Sequence, residues 1–395
     1  MTIAMNTLPE IRHGLDLSED QQMIRDMVRE FAAKEVAPLA AEIDETHTFS
    51  VQTWEKIVAL GLPGIPFPEE FGGSGGGTLD YMLAVEELAK VCASTALSFA
   101  AHVSLGTYPI YAWGDDELKR AYVPKLVSGE YMGAYGLTEP GAGSDSGGTR
   151  TSAVLDGDEW VLNGRKCFIT NANYAGTFIC TAVTEKGIGV RGISAFVVPR
   201  DTSGFSLEKG EVKLGMRGSD WASLVFESAR VPRNHLLGPK GEGFITFMKT
   251  LDGGRISIGA LALGIAEGAY ECARQYAQER EAFGKTLSGQ QAVQFKLADM
   301  AVQIEAARHL VYHAARIKDT GASYTQEAAM AKLYASEAAM RVTYDAIQIY
   351  GGYGYSREYP VERMWRDAKL CTIGEGTSEV QRIVIARQIL GTAGR

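Results

Sequence analysis

The apolar and polar positions divide the chain into three stretches of different period. In the first, Ser18 and Gln21 have capping-box spacing, and Met23, Ile24, Met27, Val28 and Phe31 then recur on one helical face. Glycine and proline interrupt at Gly61 to Pro68 and at Phe71 to Gly77. These segments read as loop with tight turns. Their glycines lack the i, i+2, i+5 spacing of a dinucleotide cradle, and no strand precedes them. Helical patterning returns from Leu79 to Val127. Near Tyr131 the period changes. Asp156-Gly157 and Asn163-Gly164 are hairpin-turn dipeptides, and Trp160-Val161-Leu162 and Cys167-Phe168-Ile169 suit strands on either side of the second. Phe178, Cys180 and Ala182 alternate, and Ile193 to Val198 is a short apolar run. After Gly243 the pattern predicts helices over 256–279, 290–318 and 326–350, the last capped by Gly351-Gly352. A final helix runs from Ser378 to about Leu390, with Ser378 and Gln381 spaced as a second capping box. The expected architecture is α+β: an N-terminal α-helical domain over 1–130, a middle antiparallel β domain over 131–242 and a C-terminal α-helical domain over 243–395.

Composition narrows the functions open to such a fold. A chain of 395 residues exceeds one compact core. Its net charge of −9 comes with no run of Lys and Arg, so nucleic acid is not an expected partner; small molecules and other proteins are. Cys92, Cys167, Cys180, Cys272 and Cys371 are odd in number and contain no Cys-x-x-Cys pair. Neither a disulfide framework nor a zinc site is expected, and a reducing, cytoplasmic location fits. His309 and His313 would share a helical face, but a zincin needs Glu where Leu310 stands, so surface or packing roles are favoured and no metal is expected. Acidic Glu10, Asp16, Glu19 and Asp20 do not suit a transit peptide. No stretch approaches about 18 uninterrupted apolar residues, so no membrane span is expected.

Four segments can carry chemistry. Tyr135 to Gly148 is rich in glycine and hydroxyls; its N–H groups suit an anion or a flavin edge, and equally a plain crossing loop. Phe168 and Thr170 could pack on and hydrogen-bond a planar ring, although an aromatic in a strand is more often core. Gln348 to Tyr355 ends a helix with more glycines than capping requires. Glu375, between Gly374 and Gly376, could reach into a cleft as a general base. On local chemistry alone, a negative charge near the N-terminus of the last helix is the better account of it.

Taken in order, these segments resemble the acyl-CoA dehydrogenase family. Gly136-Leu137-Thr138-Glu139 through Gly143-Ser144-Asp145 to Gly148 matches its first signature, and Gln348 through Gly351-Gly352, Gly354-Tyr355 and Glu358 to Arg363 and Asp367 its second. Arg280 to Lys285 looks like the family's Arg-x-x-Phe-Gly-Lys segment, and Glu375 to Arg382 like its catalytic end. The resemblance covers nearly the whole chain. It implies a C-terminal four-helix bundle, FAD as cofactor, and α,β-dehydrogenation of an acyl-CoA to the trans-2-enoyl-CoA. Glu375 would be the base, hydride would go to the flavin, and electrons would pass on to an electron-transfer flavoprotein. It assigns Tyr135, Leu137, Thr138, Gly143, Ser144, Phe168, Thr170, Thr377 and Glu379 to the flavin. Arg280, Phe283, Gln291, Gln348 and Gly352 would serve the flavin of a neighbouring subunit, which implies a homotetramer built as a dimer of dimers. Ser144, Asp252, Arg255 and Gly376 would contact acyl-CoA.

Three positions depart from common family patterns. Phe168 stands where many relatives have Trp. Gly254 stands near the place where some relatives carry the base instead, leaving Glu375 as the candidate. Gly374 replaces a frequent Tyr, which suggests room for a short, branched or cyclic acyl group. The rival readings are a flavoprotein oxidase or monooxygenase of the same fold, and a non-catalytic protein that binds flavin or acyl-CoA.

Overall fold

The computed structural model describes residues 16–391, so the reading of the first fifteen residues as no leader, and His13 among the histidines, lie outside it. The N-terminal helices are α1 (Glu19–Phe31), α2 (Ala40–Thr46), α3 (Val51–Ala59), α4 (Thr78–Val91), α5 (Ala93–Ala101), α6 (Tyr108–Trp113) and α7 (Asp116–Val127). α1 starts with its expected capping box: Ser18 Oγ accepts from Gln21 N at 3.2 Å, and Gln21 Oε1 accepts from Ser18 N at 3.1 Å. α4 packs against α1, α5 and two C-terminal helices at once. That leaves it no solvent face, and even Glu86, Glu87 and Lys90 are buried. Between α5 and α6, His102–Thr107 winds as a π-helix, which carries Ser104 and Leu105 toward the middle of the molecule.

The middle region contains β1 (Met132–Gly136), β2 (Ser152–Asp156), β3 (Glu159–Thr170), β4 (Ala175–Val183), β5 (Ile193–Pro199), β6 (Phe205–Lys209), β7 (Trp221–Pro232) and β8 (Leu236–Leu237). The order β6-β7-β3-β2-β4-β5-β8 is antiparallel with two exceptions. β1 runs parallel to β4, and β2 meets β4 in parallel at Ser152 and Val183. The first predicted hairpin closes between Asp156 and Glu159. The second does not exist. Asn163-Gly164 lies inside the twelve-residue strand β3, at a bulge against β7. Asn163 Oδ1 accepts from Ser228 N at 2.8 Å, and Gly164 takes φ +150° where an added Cβ would sit 2.6 Å from Thr151 Cα. The dipeptide answers a need for positive φ and close approach, which a bulge imposes as a turn does.

α8 (Gly243–Glu279), α9 (Gln291–Asp319), α10 (Thr325–Tyr350) and α11 (Pro360–Cys371) pack on one another as the C-terminal bundle, with the small hairpin β9 (Glu281–Ala282) and β10 (Lys285–Thr286) after α8. α8 is the one described helix long and apolar enough to cross a bilayer, but it is mostly buried inside the protein. It packs on α4, α5 and β5 as well as on the bundle. α12 (Ser378–Ile389) follows, and its start corrects the second capping-box expectation. Thr377 is the N-cap, accepting from Val380 N at 3.3 Å, while Gln381 Nε2 turns back to the carbonyls of Glu375 and Gly376. His309 and His313 are exposed on α9.

Candidate active site

The turn from α11 to α12 carries Glu375. Gly374 N donates to Leu370 O at 2.8 Å, and Ser378 N to Thr372 O at 3.1 Å, closing a tight loop. Within it Glu375 adopts φ +55° and Gly376 φ +92°. A non-glycine residue in the left-handed region stores strain and is common at functional positions. Seven described non-glycine residues share that feature, and they include Phe168, Phe283 and Glu375. The left-handed turn points the Glu375 carboxylate at α8. Oε2 is buried without a hydrogen-bond partner. Burial pushes its pKa up to about 7, against the opposing pull of Lys332 and Arg255. A helix-end charge would be solvated and shifted the other way, so that account of Glu375 fails. Glu379, in the first turn of α12, is the residue in that role.

Gly254 is what admits the carboxylate. An added Cβ there would lie 1.9 Å from Glu375 Oε2 and 2.9 Å from its Cδ. The obstructing atoms are the end of a flexible side chain, so Gly254→Ala is expected to fold and to push the carboxylate aside. We expect kcat to fall about 10-fold with little change in Tm; an unchanged kcat would contradict this geometry.

Around this carboxylate the elements converge. Tyr81 OH donates to Ala100 O at 2.9 Å, and Ser257 Oγ to Gly254 O at 2.8 Å and Ser104 Oγ at 3.4 Å. Ala101, Leu105 and Leu251, with Tyr135, Leu137 and Met248 against them, form a small apolar cluster of their own. Tyr135 stacks on Phe247 at 4.2 Å and donates to its carbonyl at 3.0 Å. Burial, and next the charge of Glu375, raise the Tyr135 phenol well above its usual range. Arg255 is buried and paired with Asp252, whose other oxygen accepts from Thr325 at 2.7 Å. At Gly374 the nearest atoms to an added Cβ belong to Leu370, no closer than 3.6 Å, so a Cβ would fit there in ordinary contact.

The loop 137–148 lies next to β3. Cys167 N donates to Thr138 O at 2.9 Å, and Lys166 Nζ to Leu137 O at 3.3 Å. Buried Lys166 also pairs with Glu139 at 2.7 Å, and that carboxylate accepts from Arg150 N and Thr151 N. Both ends of the loop are thereby anchored, while Gly143 and Ser144 remain exposed at its tip. Phe168 is half exposed, with φ +62°, and leans on Trp221 at 5.1 Å; Thr170 ends the same strand. An open aromatic face, a hydroxyl and a loop with exposed backbone fit a planar ring with hydrogen-bonding edges.

Models of the acyl-CoA dehydrogenase N-terminal, middle and C-terminal domains match residues 18–130, 134–229 and 241–390. The chain belongs to the acyl-CoA dehydrogenase family. It is 52% identical to the short-chain-specific acyl-CoA dehydrogenase of Clostridium acetobutylicum over 95% of this chain and 99% of that one. Butyryl-CoA dehydrogenase from Megasphaera elsdenii superposes with TM-score 0.94 at 46% identity, covering 95% of this chain and 99% of that. A chain solved in work on the electron-transferring flavoprotein of Acidaminococcus fermentans and flavin-based electron bifurcation superposes with TM-score 0.94 at 51% identity, covering 95% and 99%. FAD is the cofactor of the family.

In this acyl-CoA dehydrogenase the remaining predicted residues gather elsewhere. Arg280 and Gly352 line a groove of about 470 Å³ with Tyr276, Leu287, Tyr350 and Tyr353, and the Arg280 guanidinium lies 5.7 Å over the Tyr353 ring. Phe283 at the hairpin tip is 96% exposed, and Gln291 and Gln348 are also exposed. From Arg255 to Arg280 along α8 is roughly 37 Å, so these residues do not share one compact site with Glu375 of the same chain. Sequence reasoning missed Lys332, which donates to Gly376 O at 2.6 Å, and the Tyr81, Ser104 and Ser257 hydroxyls. For Lys332 a signal existed: it is a charge set into the alanine stripe of α10 at Ala328, Ala331 and Ala335.

Proposed function

We propose that this chain dehydrogenates a short-chain acyl-CoA to the trans-2-enoyl-CoA, with Glu375 removing the α-proton. The observation that carries the reading is the Glu375 carboxylate, unpartnered, buried against Gly254 and raised to about 7 instead of its ordinary 4.5. An α-proton next to a thioester is very weakly acidic, and a carboxylate of raised pKa is the stronger base. The Glu375 N–H has no acceptor among the described residues, so it is free to donate to a thioester oxygen as negative charge develops there. The apolar cluster of Ala101, Leu105 and Leu251 would exclude water from the acyl carbons. Ser144, Asp252, Arg255 and Gly376 are assigned to acyl-CoA. Bound FAD supplies the two-electron acceptor for the β-hydrogen. Tyr135, Leu137, Thr138, Gly143, Ser144, Phe168, Thr170, Thr377 and Glu379 would hold it from this chain. Arg280, Phe283, Gln291, Gln348 and Gly352 would hold the flavin of a neighbour in a tetramer, for which the length of α8 is the support.

The names of the Clostridium acetobutylicum and Megasphaera elsdenii relatives speak for a short, unbranched acyl chain. Electron-transfer flavoprotein is the proposed acceptor, on the likeness to the Acidaminococcus fermentans structure. A cytoplasmic location is proposed on the five unpaired cysteines. The test is anaerobic mixing of the FAD-loaded protein with four-, eight- and sixteen-carbon acyl-CoAs. Bleaching of the flavin absorbance fastest with the four-carbon thioester is the expected result. A flavin that none of them bleaches marks a binding protein, and rapid return of colour in air marks an oxidase.

A further inference from the structure

A buried ammonium is costly unless paired, and one in this molecule is not. Lys332 has no exposed surface and sits on the alanine face of α10. Its Nζ has three protons to donate but one acceptor, the Gly376 carbonyl at 2.6 Å, and it forms no ion pair among the described residues. The turn is held by other bonds besides. Gln381 Nε2 donates to the same carbonyl at 2.9 Å and to Glu375 O at 3.3 Å, and Ser336, one turn along α10, donates to Cys371 O at 2.9 Å. A neutral donor at position 332 would complete this structure at lower desolvation cost. What lysine adds is charge.

Several groups face Glu375, and their chemistry shows where that charge acts. From α8 comes Arg255, already paired with Asp252. From α4 and β1 come Tyr81 and Tyr135, phenols kept neutral by burial. From α10 comes Lys332, with Cys371 of α11 and Glu379 of α12 also in its field. Lys332 is therefore the cation in this set with no carboxylate partner of its own. We propose that Lys332 is a positioning residue for the base: it holds the left-handed Glu375–Gly376 turn through the Gly376 carbonyl, and its unpaired charge favours the carboxylate form of Glu375. The proposal rests on the reading of Glu375 as the base. Two electrostatic effects agree with it. Lys332 is the first of the charges that oppose the upward push of burial on Glu375, and its own ammonium is pushed down to about 8 by burial.

The experiment is the pH profile of kcat at saturating acyl-CoA for FAD-loaded Lys332→Met, Lys332→Gln and Lys332→Arg, beside Glu375→Gln. In the two neutral variants the acid-side midpoint should move up by about half a pH unit or more. Their kcat at pH 7 should fall about 2-fold or more. Lys332→Arg, which keeps the charge, should keep the midpoint. A wild-type midpoint in neutral variants that hold FAD overturns the proposal. So does a midpoint that moves equally in Lys332→Arg, or failure of all three variants to hold FAD, which would assign Lys332 to stability alone. The Glu375→Gln arm separates the two readings. If it turns over normally, the base is misassigned; if it is inactive while the midpoint stays put, the role of Lys332 alone fails.

Discussion

Glu375→Gln is expected to lower kcat by at least about 10²-fold, a loss of roughly 2.7 kcal/mol of transition-state stabilisation, while FAD and acyl-CoA still bind. The amide keeps the shape of the side chain and cannot accept the α-proton. The loss should therefore fall on kcat, with KM little changed. Stability should move the other way. A carboxyl raised from 4.5 to about 7 by burial costs stability above pH 4.5, and the cost is complete once pH passes about 7. The amide carries no such cost, so the variant should melt at or above the wild-type temperature at pH 8, with the difference fading toward pH 4.5. In the wild-type enzyme kcat/KM should fall as pH drops below about 7, because the free enzyme's base is then protonated. The residual rate of the variant should lack that limb. Turnover near the wild-type rate in Glu375→Gln would remove the base from the position we give it.

How much of this was legible before the fold was known depended on the range of the interactions concerned. The Ser18–Gln21 capping box, the glycine stop after Tyr350 and the period change near Tyr131 are local, and each is found where the pattern puts it. Asn163-Gly164 was misread because the same backbone demand arises at a bulge, and only the pairing of β3 with β7 decides between bulge and turn. Ser378 and Gln381 have the spacing of a capping box, but Gln381 is drawn instead to the carbonyls of the Glu375 turn. The candidate base shows the limit most clearly. Local chemistry made Glu375 a helix-end charge, and the resemblance made it catalytic. Its elevated pKa comes from burial, in a space that Gly254 of α8 leaves open more than a hundred residues earlier in the chain. Lys332 announced itself only as a charge on an apolar face, which sequence alone cannot aim at a partner.

Arg308→Met is expected to destabilise the fold by about 3–5 kcal/mol without touching the site. Arg308 is buried where α4, α8 and α9 meet, donating to Glu86 at 3.2 Å and to Glu267 at 2.5 Å, and also to Glu305. Lys90 serves Glu87 and Glu267, each at 2.9 Å, and Tyr312 OH donates to Glu86 at 2.7 Å. Burial pushes Glu86 up to about 7 even with Arg308 in place, whereas Lys90 and Arg308 overcome burial at Glu267 and hold it well below the usual range. Methionine fills the volume but strips Glu86 of its ion-pair partner and leaves Glu267 only Lys90, which Glu87 shares. Glu86 must then rise further. A carboxyl whose folded pKa exceeds its unfolded value of about 4.5 costs stability above that pH, increasingly so until the folded pKa is passed. The deficit of Arg308→Met should therefore be larger at pH 8 than at pH 5, read as denaturation midpoints of the FAD-loaded protein. Adding Glu86→Gln should recover part of the loss at pH 8 and little at pH 5. A deficit independent of pH would mean that lost packing, not stranded charge, is what the arginine prevents.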